Sequence, residues 1–229
     1  MSARAQALAC RDLVDYWHGP LFDHNVSNKA LYVLRCSHNR VLCLFDTAIR
    51  LIDESAWPVA TLAARALMTC VAYNSLMYFK LLDGAGSVDV VVDSFFTSND
   101  VKRKLYKNVA ALSKLHIAKH AKPKVGVARS ARISSGDAMK SGLGRLFEEQ
   151  RWAKKESILE HYDRLSEACH DSQVSIIYMF SSLGKGVETS EGEVDFDLMI
   201  EHDVWQALAH IAPFQWVRVQ AEPLYAGLR

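Results

Sequence analysis

The chain has 229 residues, of which 50% are hydrophobic and 23% are charged, and its formal net charge is +1. This length and composition predict a globular protein with a sizeable core in one large or two small domains. No apolar run approaches the roughly 18 residues that span a bilayer, and the N-terminus lacks a hydrophobic signal segment, so we expect a cytoplasmic protein with no membrane partner. The five cysteines show no CxxC spacing, which predicts reduced, buried thiols.

The first half of the chain is predicted to be helical. A short helix should reach Trp17, because the His-Gly-Pro at residues 18–20 contains a proline that cannot continue the hydrogen-bond ladder. A long helix is expected from Ser27 to about Asp53, since apolar residues recur there in steps of three, four and seven. The residues that predict this core-facing stripe are Leu31, Leu34, Val41, Leu42, Phe45, Ile49 and Ile52.

Further helices are expected up to the middle of the chain. Pro58 suits the first turn of a third helix, which should end at the glycine-containing residues 83–86. Residues 87–96 are rich in valine and would suit a strand, but we favour a helix because a strand here would lack partners. A following helix, capped by Ser98 or Asn99, should carry most of the basic residues on its outer face.

The near-neutral net charge conceals two segments of opposite sign. Residues 101–136, named here the cationic segment, contain ten Lys or Arg and no acid, whereas residues 186–217 contain seven Asp or Glu and no Lys or Arg. A basic run of this density neutralises phosphates, so RNA or another nucleic acid is the expected partner. The alternative is a solvated helix face and a basic loop that docks on the acidic segment. The predicted nucleic-acid-binding residues are Lys102, Arg103, Lys104, Lys107, Lys114, Lys119, Lys122, Lys124, Arg129 and Arg132.

Three regions are expected along the chain. Residues 1–122 form an N-terminal helical block that includes the basic helix. Residues 123–136, which are small, polar and contain glycine, form a basic loop or hinge. Residues 137–229 form a C-terminal helical block with an acidic tail segment. The predicted fold is therefore mainly α, a helical bundle with a small, less regular or α+β C-terminal segment.

The C-terminal block is expected to begin with one long helical stretch. Its apolar pattern resumes near Asp137 and continues to about His170 or beyond, with a break expected at Gly142 and Gly144 because glycine weakens a helix. The sequence contains no glycine-rich phosphate loop of the GxGxxG or GxxxxGK[ST] kind, so the motifs of common nucleotide-binding folds are absent.

Arg164 and His170 are separated by the five residues Leu-Ser-Glu-Ala-Cys on this predicted helix. The spacing resembles the R-x4-6-H motif of the HEPN superfamily, helical nucleotide-binding domains that include metal-independent ribonucleases of bacterial toxin and phage-defence systems. The resemblance implies an endoribonuclease that needs no cofactor, with two motif copies that meet in a homodimer. Arg11 and His18 match the same spacing and form a second candidate pair.

The residue types of the first pair suit this chemistry. Histidine moves protons near neutral pH, so His170 would act on the 2′-hydroxyl or the leaving oxygen. Arg164 would stabilise the charge on the transferring phosphate. The alternative is structural, with a surface Arg164 paired to Glu160 or Glu167 and with His170 at the end of the helix.

Residues 162–170 carry a wider resemblance. Their Tyr-x-x-Leu-Ser-Glu-x-x-His pattern is similar to the signature of a bacterial helical family whose function is not established. In that family two long helices precede the signature, and the second carries a small-residue and arginine pattern like residues 60–67 here, which include Arg65. The resemblance implies an all-helical fold with some HEPN-like character.

A third pattern, in residues 180–200, indicates a different chemistry. A Ser-Ser-Leu-Gly turn followed by Asp195 and Asp197 resembles the Gly-Ser turn and Asp-x-Asp strand of nucleotidyltransferases. Strand alternation would place Asp195 and Asp197 on one face, where two carboxylates could hold Mg²⁺. The alternative is an acidic hairpin whose charges alternate with core residues.

Together these features predict an RNA-binding helical protein in which Arg164 and His170 form a metal-independent ribonuclease pair. The alternative keeps the basic surface and assigns no catalysis. The chain would then be a binding module for nucleic acid or protein, with an antitoxin or another protein as its partner.

Overall fold

The computed structural model describes residues 2–18, 29–84, 135–169, 187–189, 192–194 and 196–226. The described chain is mainly α-helical with one short β-hairpin, which confirms the predicted mainly α fold. The HEPN-like assignment stays a prediction. Several predicted features lie outside the described residues, namely segment 87–96, the basic helix with all ten predicted nucleic-acid-binding residues, most of the loop 123–136, His170 and Asp195.

The described elements are, in chain order, α1 (Ala3–Asp12), α2 (Lys29–Asp53), α3 (Trp57–Leu82), α4 (Ser135–Ala138), the π-helix π1 (Met139–Gly144), α5 (Arg145–Glu149), α6 (Lys155–Cys169), β1 (Val187–Thr189), β2 (Gly192–Val194), α7 (Phe196–Leu208) and α8 (Ile211–Ala226).

The first helix is shorter than predicted. It begins after Ser2, whose hydroxyl caps the Ala5 N–H at 3.3 Å, and it ends at Asp12 instead of reaching Trp17. The backbone of Trp17 is bonded elsewhere, because its N–H donates to Asn39 Oδ1 at 2.7 Å and its carbonyl accepts from Asn39 Nδ2 at 2.9 Å. A side chain from α2 therefore replaces the helix ladder that the sequence pattern predicted.

Helices α2 and α3 form the centre of the fold. The predicted stripe on α2 is buried at Leu34, Val41, Leu42 and Phe45, each at most 1% exposed. Helix α3 has a proline in its first turn, and the chain turns after it at Gly84, whose φ of 67° favours glycine. The predicted bounds of both helices are therefore confirmed to within two residues.

Helix α3 is the one described helix that is long and apolar enough to cross a membrane. In its most apolar window, however, 61% is buried inside the fold. Its side chains pack against α2, π1, α6, α7 and α8. This burial explains the hydrophobicity of α3 as that of a core helix.

The expected helical stretch after residue 135 is divided differently from the prediction. At Gly142 and Gly144 the chain does not break but continues as π1, which joins α4 to α5. The interruption comes later, between Glu149 and Lys155, where Arg151 adopts a φ of 54° and the Trp152 N–H donates to the Phe147 carbonyl at 3.0 Å. Because no glycine or proline marks this turn, the sequence pattern did not reveal it.

The acidic C-terminal region contains a hairpin and two helices. Strands β1 and β2 are antiparallel, with Val187 opposite Val194 and Thr189 opposite Gly192. Strand β2 ends at Val194, and α7 begins at Phe196, so Asp197 belongs to a helix. The predicted strand is therefore wrong at Asp197, and Asp195 lies outside the described residues, so the strand alternation that would pair the two carboxylates for Mg²⁺ is not present at Asp197.

A single hydrophobic cluster connects the two ends of the described chain. It contains buried residues of α2 and α3 together with residues from π1, α6, α7 and α8. Its largest fully buried side chains include Phe45, Phe79, Phe214 and Tyr225. The helices that precede the cationic segment thus share one core with those that follow it.

Candidate functional site

Helix α6 carries most of the residues that the sequence analysis singled out. Tyr162, Arg164 and Ser166 all lie on it, while His170 follows its last residue, Cys169, and is outside the described residues. The side chains of Arg164 and Ser166 bond to different helices. Helix α6 therefore has two separate contact regions, one with α7 and one with α3.

Arg164 points toward α7, where it meets the buried Asp203. Its Nε donates to Asp203 Oδ2 at 2.9 Å, and its Nη2 donates to Asp203 Oδ1 at 2.8 Å. The arginine side chain is 50% exposed, whereas the aspartate side chain is 9% exposed. This two-bond arrangement fixes the guanidinium in one orientation and neutralises much of its charge.

His161 completes the contact with Asp203. Its Nε2 lies 2.8 Å from the Asp203 carbonyl oxygen, and since a carbonyl only accepts, Nε2 is the donor. Burial lowers the pKa of His161, because the charged imidazolium is poorly solvated there, although the carbonyl and carboxylate of Asp203 oppose the shift. His161 is therefore a neutral residue that ties α6 to α7.

The contact between Arg164 and Asp203 leads to a stability prediction. The Asp203→Asn variant should lose about 1–2 kcal/mol in the free energy of unfolding, since it weakens two charge-assisted hydrogen bonds to a half-exposed arginine. Urea unfolding of the two proteins measures this difference. The matched control is Glu201→Gln, which removes the same charge from α7 and should change stability by less than about 0.5 kcal/mol. Equal losses in both variants would assign the effect to net charge.

On its other side, α6 meets Arg65 of α3. Arg65 Nε donates to Ser166 Oγ at 2.9 Å, its Nη2 lies 3.3 Å from the Tyr162 hydroxyl, and its guanidinium carbon is 5.3 Å from the Tyr162 ring centre. The side chains of Thr69 and Ser135 are close enough to the Tyr162 phenol to lower its pKa, and the Thr69 hydroxyl donates to the Arg65 carbonyl at 3.0 Å. We name these five residues, Arg65, Thr69, Ser135, Tyr162 and Ser166, the Arg65 cluster.

The Tyr162 phenol is surrounded by polar side chains and a positive charge. Burial raises its pKa, but the polar side chains of Ser135, Thr69 and Ser166 and the charge of Arg65 together outweigh burial. The pKa of Tyr162 is therefore lowered from its ordinary value. Every partner that lowers it favours negative charge at this position.

Arg65 differs from the arginines that are ion-paired. Arg11, Arg145, Arg164 and Arg218 each have a carboxylate partner, respectively Asp46, Asp83 with Glu149, Asp203, and Glu222. Within the described chain, the hydrogen bonds of Arg65 go only to the neutral oxygens of Ser166 and Tyr162. The charge of Arg65 is thus held between two helices without a described counter-charge.

The Arg65 cluster joins two segments that the sequence analysis noted separately. Arg65 and Ser166 are 101 positions apart, and both belong to the patterns that resemble the bacterial helical family. Leu165 of the same pattern is 2% exposed and packs in the core. The sequence did not predict that Arg65 meets Tyr162 and Ser166, because periodicity shows which face of a helix is polar and does not show its partner.

The second candidate pair, Arg11 and His18, is not assembled as a site. Arg11 makes two 2.8 Å hydrogen bonds to the Asp46 carboxylate, which also accepts from the Tyr16 hydroxyl at 2.7 Å. His18 is exposed. Arg11 therefore connects α1 to α2 in a structural contact.

A metal centre and a ligand-binding cleft are two further types of site. In the residues that the structure describes, no group of three or more His, Cys, Asp or Glu side chains could hold a metal ion. A cleft of about 240 Å³ lies between the chain after α1, α2 and α8, and its lining includes Arg35, His38, Arg218 and Glu222. Because this lining combines both signs of charge, it indicates no class of ligand.

Comparison of this chain with protein-family models, with curated proteins and with solved structures finds no match to any of them.

Proposed function

We propose that the chain is a cytoplasmic RNA-binding protein whose cationic segment and the neighbouring surface of α6 form one binding surface. The observation that carries this proposal is the contact between Ser135 and Tyr162. Ser135 is part of the sequence segment 101–136, and its side chain is close enough to Tyr162 of α6 to lower the pKa of that phenol, which lies 3.3 Å from Arg65 Nη2. The sequence that carries ten cations and no acids is thus joined, at Ser135, to a described residue near an arginine that has no described carboxylate partner.

We propose that the activity is that of a metal-independent endoribonuclease. In this proposal His170 transfers the proton, and Arg164 stabilises the charge on the transferring phosphate. The two hydrogen bonds to Asp203 orient the Arg164 side chain, which is half exposed. A homodimer and a role in a bacterial toxin or phage-defence system follow from the HEPN-like resemblance and belong to the same proposal.

A second candidate is a binding module without catalysis, with RNA or a protein partner such as an antitoxin. One observation favours it specifically. The carboxylate of Asp203 neutralises Arg164, and a guanidinium that is already paired stabilises an added phosphate less well.

RNA cleavage in EDTA separates the two candidates. If the chain is a ribonuclease, wild type should cleave single-stranded RNA without added metal, and His170→Ala should lower the rate by about 10²–10⁴-fold because the proton-transfer group is lost. Arg164→Gln should also lower the rate. His18→Gln is the matched control, since it removes an exposed histidine from the unassembled pair. Cleavage at the wild-type rate in His170→Ala would remove the catalytic assignment and leave the binding module.

RNA binding itself has a separate signature. If several cations of segment 101–136 contact phosphates, the logarithm of the affinity should fall linearly with the logarithm of the salt concentration, with a slope of about −0.7 per contacted phosphate on single-stranded RNA. Fluorescence anisotropy of a labelled RNA oligonucleotide measures this slope. An affinity that does not change with salt would contradict the proposed surface.

A further inference from the structure

Arg65 carries a positive charge in an environment that supplies only neutral partners. The residue is partly buried, and its two hydrogen bonds go to hydroxyl oxygens at 2.9 Å and 3.3 Å. A charge that leaves water is destabilising unless an opposite charge compensates it. Four other arginines of the described chain, Arg11, Arg145, Arg164 and Arg218, are paired with carboxylates. The environment of Arg65 therefore favours an added anion.

The groups around Arg65 are suited to an oxyanion. Within the described chain, the hydrogen bonds of Arg65 use Nε and Nη2 and none uses Nη1, so the Nη1 amino group can donate to a ligand. The Tyr162 hydroxyl lies 3.3 Å from the neighbouring Nη2, Ser135 is close enough to that hydroxyl to lower the pKa of Tyr162, and a hydroxyl hydrogen can rotate toward an acceptor. A planar guanidinium with neighbouring hydroxyl donors matches the oxygen arrangement of a phosphate group.

The position of Ser135 distinguishes between classes of phosphate ligand. Ser135 belongs to both the Arg65 cluster and the cationic segment, so the cluster is next to the ten cations along the chain. A single small phosphate compound would use the cluster and leave the ten cations of the segment without a role. The ten cations that precede Ser135 in the sequence thus favour a phosphate that belongs to a nucleic-acid backbone.

We propose that the Arg65 cluster is a binding site for one phosphodiester group of a bound RNA strand, with Arg65 Nη1 and the Tyr162 and Ser135 hydroxyls as its donors. The choice of RNA as the source of the phosphate rests on the proposed function. The site itself rests only on the contacts of Arg65. It is a positioning site and takes no part in proton transfer.

The first experiment measures RNA affinity in EDTA for three variants with a labelled single-stranded RNA oligonucleotide. Arg65→Gln should weaken binding about tenfold or more and reduce the salt slope by roughly one contact. Arg65→Lys should keep the wild-type salt slope and part of the wild-type RNA affinity. Lysine keeps the positive charge but lacks the planar guanidinium that donates two parallel hydrogen bonds. Arg50→Gln is the matched control, since it removes the same charge from an exposed position on α2 and should leave both quantities at their wild-type values.

The second experiment detects the phosphate group directly, with inorganic phosphate as the probe. The ultraviolet absorbance of ionised tyrosine is titrated with pH, and the Tyr162→Phe titration is subtracted from that of wild type to isolate one phenol. Phosphate should raise the pKa of Tyr162, because a bound anion repels the phenolate. The same subtraction in the Arg65→Gln background should show no shift, and a melting curve for each variant establishes that it is folded.

The outcomes separate this inference from the proposed function. If wild type binds RNA and Arg65→Gln binds it with the same affinity and slope, Arg65 only bridges α3 and α6, and the inference is overturned while RNA binding stands. If wild type does not bind RNA but inorganic phosphate shifts Tyr162, the site is supported and its ligand is a small phosphate compound. Failure of both signals overturns the site.

Discussion

The Gly142→Ala variant is expected to lose about 3 kcal/mol or more in the free energy of unfolding, or to fail to fold. A Cβ atom at Gly142 would overlap the carbonyl oxygen of Ala72 and would lie 2.8 Å from the backbone nitrogen of Leu76. Both contacts are with the backbone of α3, which is the central helix of the core. Because backbone atoms cannot rotate away as a side chain does, α3 and π1 would have to separate.

Gly144→Ala is the matched control for this result. A Cβ at Gly144 would lie 2.8 Å from Lys155 Cγ and 3.1 Å from the Met139 carbonyl oxygen. The lysine side chain can change rotamer, and replacing glycine by alanine in a helix favours folding by roughly 1 kcal/mol, so the net change should stay within about 1 kcal/mol of wild type. Urea unfolding monitored by circular dichroism measures both variants. Equal losses would show that π1 does not depend on the close approach at Gly142.

Glycine at these two positions illustrates what the sequence could and could not predict. Gly142 and Gly144 predict a break in the helix, because glycine lowers helix propensity. The structure uses Gly142 for contact with α3 instead, and the helical path continues. Propensity is a local quantity, whereas the need for a missing side chain arises from a neighbouring helix that is 66–70 positions away in the sequence.

The difference between local and long-range information also explains why the sequence predicted the bounds of α2 and α3 correctly. Burial along one helix face repeats every three or four residues, so Leu34, Val41 and Phe45 identified both the helix and its core face. A turn such as the one at Arg151 depends on packing around it and leaves no glycine or proline in the sequence. The sequence could therefore predict that these helices exist. It could not predict where the helical stretch after residue 135 is interrupted by a turn.

The candidate site was predictable only in part. Arg164 was singled out by its spacing from His170, but its partner Asp203 lies 39 positions away on a helix that the sequence analysis had assigned partly to a strand. Arg65 was quoted only as part of a family pattern. Its significance comes from its partners, since both hydrogen bonds go to residues about 100 positions away and neither goes to a carboxylate. Pairing between distant segments is information that periodicity does not contain.

Acidification provides the second large prediction, because three histidines are buried in neutral form. His38, His161 and His210 are each 5% exposed. His210 follows α7, and its Nδ1 lies 2.8 Å from the Gln206 carbonyl oxygen, so Nδ1 is the donor and Nε2 carries no proton. Within the described chain Nε2 has no hydrogen-bond partner. A second proton on this ring would place an unsatisfied charged donor in the core.

Burial, together with the nearby His161, lowers the pKa of His210 to about 4, against the opposing effect of the Gln206 and Ala207 carbonyls. Burial also lowers the pKa of His38 and of His161. An unfolded histidine binds its proton near pH 6.5, so below about pH 6.5 the unfolded chain holds more protons than the native chain. The free energy of unfolding should therefore fall as the pH drops from about 6.5 to about 4. His210 alone contributes about 3 kcal/mol to this loss.

Urea unfolding at a series of pH values between neutrality and about pH 4.5 tests the effect, since the histidine contribution dominates where most carboxylates remain ionised. His210→Phe should reduce the slope of stability against pH by about 1 kcal/mol per pH unit, because phenylalanine keeps the ring contacts with Phe147 and His161 and has no proton to bind. It should also lower stability at neutral pH through the lost hydrogen bond to the Gln206 carbonyl. His18→Gln removes an exposed imidazole and should leave the slope unchanged. If stability falls with pH at the same slope in wild type and His210→Phe, His210 is not buried in its neutral form. The pH dependence then has another origin.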